Sequence, residues 1–368
     1  MSVPSRLRRL SLIAIPATVV AAVQSSTASA IAQGPYQQTN LVANRVGTDM
    51  PTAQHIDPHL VNPWGISAGP ATPFWVSDNG TGVTTLYANG TPLPLVVIIP
   101  PPHSTPGATS TPTGTVFNGT SDFQVAKGQP ARFLFATEDG TISGWNPNVD
   151  LHNAILEVDN SRHGTATGAV YKGLAIGSVG SSNFLYAANF RAGVVERYDK
   201  NFHPAGRFTD RAVPAGFAPF DVQNLGGMLW VTFAMQNAQK HDDVAGPGNG
   251  FVDVFDTSGN LLRRFASHGA LNSPWGLAMA PSSGFGPFSG DLLVGNFGDG
   301  TINAFDPETA TLEGQLGDAN GDSIVIDGLW GLRFGNDGAG GPSNTLFFTA
   351  GINHEADGLY GSLVSSEG

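Results

Sequence analysis

No cysteine occurs anywhere in the 368 residues. That absence excludes disulfide staples, thiol nucleophiles, zinc–thiolate sites and iron–sulfur clusters. Charge is scarce as well: only 12 % of residues are charged, and 17 Lys and Arg are outnumbered by 29 Asp and Glu. A formal charge of −12 repels phosphate backbones, so nucleic acid is not an expected partner. Heptads and long helical periods are missing. So are the nucleophile elbow, the phosphate loop, the metal-ligating helix motif and the dinucleotide fingerprint. Turn formers are abundant instead, with 48 glycines and 26 prolines. Many short strands joined by tight turns produce that composition, and the expected class is all-β.

The first thirty residues have a different grammar. Arg6, Arg8 and Arg9 precede a stretch from Leu10 to Val23 that is apolar but for Ser11, Pro16 and Thr18, and Ala28-Ser29-Ala30 follows. A basic segment, a short apolar segment and a small-residue cleavage site predict a signal peptide over 1–30. The apolar run is too short and too polar-broken to span about 30 Å of hydrocarbon. The Arg8-Arg9 pair also matches the start of a twin-arginine signal. Export to the periplasm or outside the cell is therefore expected, with one domain over 31–368. Losing three arginines and no acid takes the formal charge from −12 to −15.

Within that domain one unit is written six times. A glycine is followed five residues later by a bulky apolar residue at Gly82/Tyr87, Gly140/Trp145, Gly193/Tyr198, Gly250/Phe255, Gly300/Phe305 and Gly358/Leu363. A strand-built period somewhat above 40–50 residues predicts a propeller blade. Each unit opens on an inner strand carrying Trp-Gly or a stand-in. These are Pro63-Trp64-Gly65-Ile66, Asp122-Phe123, Tyr171-Lys172-Gly173-Leu174, Pro219-Phe220-Asp221-Val222, Pro274-Trp275-Gly276-Leu277 and Leu329-Trp330-Gly331-Leu332. A nearly continuous apolar run comes next, such as Phe74-Trp75-Val76 or Leu346-Phe347-Phe348, and reads as a strand covered on both faces. The glycine turn and an alternating third strand follow. A fourth strand is expected at Leu95–Ile99, Ala154–Val158, Ala205–Phe208, Leu261–Phe265 and Leu312–Leu316, but the sixth unit has no room for one. Tyr36–Ala43, a spare extended segment, is expected to fill that place and close a six-bladed propeller of four-stranded blades. Pro100 through Thr113 reads as an exposed rim loop.

The turns after the second strands and the loops leading into the inner strands share one face of such a ring. They carry Asp78, Asn79, Glu138, Asp139, Asn189, Asn296, His354, Glu355 and Asp357, with His55, Asp57, His59, Asn62, Asn272 and Asp327 from the lead-in loops. Asn, Asp and Gly are also what a tight hairpin needs for its own geometry. Convergence of oxygen donors on one axis would suit a divalent cation such as calcium or magnesium, with Glu138, Asn189, Asn296, Asp57 and Asp327 as candidate ligands. In the fourth unit the turn swells to Met235 through Val244, longer than packing needs, and holds His241, Asp242 and Asp243. Those three, with His354 and Lys172, are the candidate catalytic residues. Lys172 stands where the repeat has tryptophan, free to pack its stem or hold an anion. Asp318-Ala319-Asn320-Gly321-Asp322 begins like a calcium loop but has Ser323 and Leu329 at the sixth and twelfth positions, so it reads as a turn.

Several longer stretches carry a resemblance. They include Asp57-Pro58-His59-Leu60-Val61-Asn62-Pro63-Trp64-Gly65, Val76-Ser77-Asp78-Asn79-Gly80-Thr81-Gly82, Ala136-Thr137-Glu138-Asp139-Gly140-Thr141, Lys240-His241-Asp242-Asp243-Val244, Gly295-Asn296-Phe297-Gly298-Asp299-Gly300 and Asp327-Gly328-Leu329-Trp330-Gly331. From about Tyr36 to Leu363 the chain resembles exported bacterial propeller proteins, a TIGR-named family of conserved hypothetical proteins. More distantly it is similar to NHL-type and lactonase-like six-bladed propellers. The first resemblance implies fold and export without an activity. Some members end in a hydrophobic sorting tail, and Val364 to Gly368 is not one, so release is expected over anchoring. The expected function is a monomeric binding or scaffold module that holds a protein, glycan or small molecule on its polar loop face. The alternative is a divalent-metal hydrolase of the lactonase or gluconolactonase type, with a histidine (His354, His59 or His241) as base.

Overall fold

The computed structural model describes residues 31–161 and 168–366. The segment read as a signal peptide lies outside the described residues. Six sheets radiate from one axis, mostly four-stranded. Their innermost strands are Pro63–Ser67, Pro112–Phe117, Tyr171–Val179, Phe217–Leu225, Pro274–Met279 and Leu329–Phe334. Each touches the next and the sixth touches the first, so the ring is closed. Among the described residues the helical content is a single turn at Gly286–Phe288, and no helix is long and apolar enough to cross a membrane.

The second strands are apolar on both sides for the reason the composition implies. Phe74–Asp78, Phe133–Thr137, Leu292–Asn296 and Leu346–Ala350 are buried at every position, sandwiched between neighbouring blades. Burying each Phe or Leu there is worth about 1.5–3 kcal/mol, and the ring repeats that gain in every blade.

The seam follows the expectation. Tyr36–Ala43 runs antiparallel to Leu359–Ser365 from Tyr36↔Ser365 to Ala43↔Leu359, with a bulge between Asn40 and Val42. Two short pieces extend the edges: His55–Ile56 beside Tyr36–Ala43 in the sixth blade, and Ala32–Gln33 beside Leu312–Leu316 in the fifth. In the first blade the outer place is shared by Thr91–Pro92 and Val97–Ile98.

One expectation is corrected. The inner strand of the second blade is Pro112–Phe117 and not the segment at Asp122-Phe123. Thr113-Gly114 takes the Trp-Gly place without an aromatic residue, which hid it. Phe123 sits fully buried in a loop at φ 58, edge-on to Phe202 at 5.7 Å. The segment before Thr113 leads into this inner strand, and Ser110 is buried with its hydroxyl donating to the Ile99 carbonyl at 2.7 Å.

Glycine recurs on the inner strands because adjacent backbones meet there. A Cβ at Gly331 would lie 2.6 Å from the Trp64 carbonyl oxygen, and one at Gly114 would run into the backbone at Leu174 and Gly173. The residue before each glycine faces the axis. Trp64, Trp275 and Trp330 fill it together with Phe190 and Phe220, all buried. Trp64 and Trp330 stack with centroids 3.5 Å apart, Phe297 stacks on Trp330 at 3.9 Å, and Trp275 meets both tryptophans edge-on. The expected central channel is thus divided by an aromatic layer.

Candidate functional site

Lys172 is the one ammonium in this layer among the described residues, and its place in the repeat puts it there. Its side chain is 3 % exposed. The Nζ lies 4.8 Å from the Trp64 ring centroid and 5.9 Å from that of Phe190. A buried ammonium is costly without a partner. Glu138, in the turn after Phe133–Thr137, supplies it by an ion pair through Oε1. Asp242 Oδ1 stands 3.7 Å from the same ammonium.

The other Glu138 oxygen is also taken, because Asn79 Nδ2 donates to Oε2 at 2.9 Å. Asn62 donates to Asn79 Oδ1 at 3.4 Å and to Glu355 Oε1 at 3.1 Å, while Trp330 Nε1 donates to Asn62 Oδ1 at 3.1 Å. The aromatic layer therefore anchors the polar network above it.

The long fourth-blade turn brings His241 to this network. Its fold is held internally by Asn237 N donating to the Asp242 carbonyl at 2.8 Å and His241 N to Asn237 Oδ1 at 3.1 Å, and it is tied to the third blade by Gln236 Nε2 donating to the Phe190 carbonyl at 2.5 Å. His241 Nδ1 then lies 2.7 Å from Asp242 Oδ1 and 4.0 Å from Glu138 Oε1. That hydrogen bond holds the Asp242 carboxyl down at about 2, with Lys172 helping.

The remaining carboxyls behave oppositely. Burial raises Asp139, Asp243 and Glu355 above their ordinary values, and the charge of Glu138 adds to the rise at Asp139 and Glu355. Asp243 Oδ2 is buried with no hydrogen-bond partner among the described residues. The result is a bowl of five carboxyls around one buried ammonium and one histidine.

Of the residues singled out in the sequence, the structure brings together Lys172, Glu138, His241 and Asp242, with Asp243 beside them. Asn189 spends its amide on its own turn, accepting from Ala192 N at 3.1 Å and donating to Glu196 at 2.9 Å. Asn296 likewise donates to the Ala270 carbonyl and Thr301 and accepts from Asn272 N. Asp57 caps its loop at His59 N and receives the Tyr87 hydroxyl at 3.1 Å, while exposed Asp327 accepts from Asn353 N at 2.9 Å. His354 is exposed at φ 56 and makes no side-chain hydrogen bond among the described residues. Asn62, Asn79 and Glu355 were visible only as turn residues; their coupling to Trp330 and Glu138 needs the order of blades around the ring.

No family model matches the chain. Uncharacterized protein R648 of Acanthamoeba polyphaga mimivirus is 32 % identical over 343 residues, 89 % of this chain and 80 % of that protein. Uncharacterized protein L690 of the same virus is 34 % identical over 330 residues, 86 % of this chain and 83 % of its own. The chain belongs to the R648 family. Among solved structures, virginiamycin B lyase from Staphylococcus aureus superposes with a TM-score of 0.51 over 90 % of this chain and 99 % of its own. At 14 % identity that likeness establishes a propeller fold for the R648 family chain and transfers no activity.

Proposed function

We propose that the loop face around Lys172 is a binding face whose ligand carries a positive charge, such as an amine or guanidinium. The observation that carries this is the charge balance: Glu138, Asp139, Asp242, Asp243 and Glu355 interact electrostatically with one another, with Lys172 or with His241. Crowded, partly desolvated carboxyls gain from an added cation. Titration calorimetry with arginine amide against its neutral isostere citrulline amide tests the reading. Arginine amide is expected to bind. Asp242→Asn and Glu355→Gln should each weaken it roughly tenfold, from the 1.5–3 kcal/mol of a charge-assisted hydrogen bond. Equal binding of the two amides, or none, overturns it.

A second reading rests on one distance: ligand atoms of Glu138, His241 and Asp242 lie within 4.8 Å of one another. Those three would hold a divalent cation, which supplies carbonyl polarisation and water activation in lactonase-like chemistry. Asn189, Asn296, Asp57 and Asp327 would first have to give up their turn hydrogen bonds. The Lys172 ammonium already neutralises Glu138, so Lys172→Met should raise affinity for calcium, magnesium or zinc if this reading is right.

Export by residues 1–30, to the periplasm or beyond, and kinship with exported bacterial propellers belong to the same proposal. The basic-then-apolar leader supports them. Finding the full-length protein, its leader uncleaved, inside the cell after expression would count against export.

A further inference from the structure

Beneath the aromatic layer, on the side away from Lys172, the ends of the inner strands enclose a second recess. It measures about 340 Å³, within the range of small-molecule sites. Its wall is mixed: polar groups make up the larger part of the surface, and Ile66, Val116, Leu174, Ile176, Leu225 and Trp275 supply an apolar portion. Two charged side chains enter it, Asp221 and Arg333.

Asp221 breaks a rule that the other blades obey. Gly65, Gly114, Gly173, Gly276 and Gly331 occupy this place elsewhere in the ring. The equivalence shows in the hydrogen bonds: Asp221 N donates to Thr232 Oγ1 at 2.9 Å, as Gly331 N donates to Thr349 Oγ1 at 2.8 Å. Asp221 therefore places a carboxyl where the other blades have no side chain. Asp221 is 2 % exposed, and its carboxyl accepts from Gln223 Nε2 at 3.0 Å and is pushed up to about 7 by burial. A buried acid with no ion-pair partner among the described residues costs folding free energy.

Arg333 is complementary. Its guanidinium donates to the Ala68 carbonyl at 3.1 Å and has no ion-pair partner among the described residues. Arg333 is solvent-exposed at the recess, and the N–H groups it does not spend on Ala68 can receive an anion there.

We propose that this recess binds a small organic acid with an apolar body, its carboxylate taken by Arg333 and a hydroxyl hydrogen-bonded to Asp221. The site is independent of the loop face. Titration calorimetry of the purified protein with 4-hydroxyphenylacetate probes it, with the methyl ester lacking the anion and phenylacetate lacking the hydroxyl. The hydroxy acid is expected to bind, and the ester and Arg333→Met each to lose about tenfold in affinity. Phenylacetate and Asp221→Gly should be weaker by several-fold. Lys172→Met, across the aromatic layer, should bind as the wild type does. If Arg333→Met does not fold, Arg333→Lys together with the ester carries the same test. No binding, an ester as good as the acid, or an equal loss in Lys172→Met overturns the assignment.

Discussion

Lys172 and Asp221 are both departures from the repeat, and their surroundings answer them differently. Lys172 finds Glu138 within its own desolvated space. Asp221 has no cationic partner among the described residues, so its carboxyl shifts instead of pairing. With the folded value near 7 and the ordinary value at 3.8, the native state holds a proton that the unfolded chain has lost between those limits. Stability contributed at this position therefore falls as pH rises from about 4 to 7, and stays low above that. Asp221→Gly restores the residue of the other blades and removes the penalty. Its unfolding free energy should match wild type near pH 4, exceed it increasingly up to about pH 7 and level off above, with a gap of a few kcal/mol on the order given by 1.36 kcal/mol per unit. A gap that does not change with pH would mean that the carboxyl is not desolvated.

At the scale of strands, the second and third strands of every blade and the closing segment Tyr36–Ala43 were legible, because period and apolar run coincide there. The inner strands were legible only where an aromatic marks them. Thr113-Gly114 carries the geometry without the aromatic, and the Pro/Ser/Thr-rich stretch before it resembles a rim loop. Gly114→Ala separates the two assignments. On an inner strand the added methyl meets the backbone at Gly173 and Leu174, and should cost about 1–3 kcal/mol in urea unfolding, the usual penalty of overpacking. On an exposed loop it would cost almost nothing. The candidate site was half legible for a related reason. Lys172 stood out by breaking the repeat, and His241-Asp242-Asp243 by lengthening a turn. That Glu138 joins them, while Asn189 and Asn296 serve their own hairpins, follows from which turn leans over the axis, a property no single blade encodes.

The ring as a whole depends on its seam. Leu41 and Val42 enter a buried cluster with Phe74, Tyr87, Phe347 and Tyr360, so the N-terminal strand joins the first blade to the sixth. Just beyond it, Asp357 ties the segment after that strand to the turn at Asn353. Its carboxylate accepts from Asn44 Nδ2 at 2.9 Å, from Arg45 at 2.7 and 2.6 Å, and from Asn353 Nδ2 at 2.9 Å. The Arg45 hydrogen bonds hold this carboxyl down at about 2, below its ordinary 3.8. The sign is then the reverse of that at Asp221. The contribution is complete above pH 4 and drains away as pH falls towards 2. Asp357→Asn should cost about 1.5–3 kcal/mol at pH 7, the worth of hydrogen bonds to a charged group, and the difference from wild type should close between pH 4 and 2. Because a closed ring has no free edge to yield first, the loss should lower the single urea midpoint with the slope unchanged. If the midpoint holds and only the amides of Tyr36–Ala43 exchange faster, the seam is a local strap and the ring stands without it.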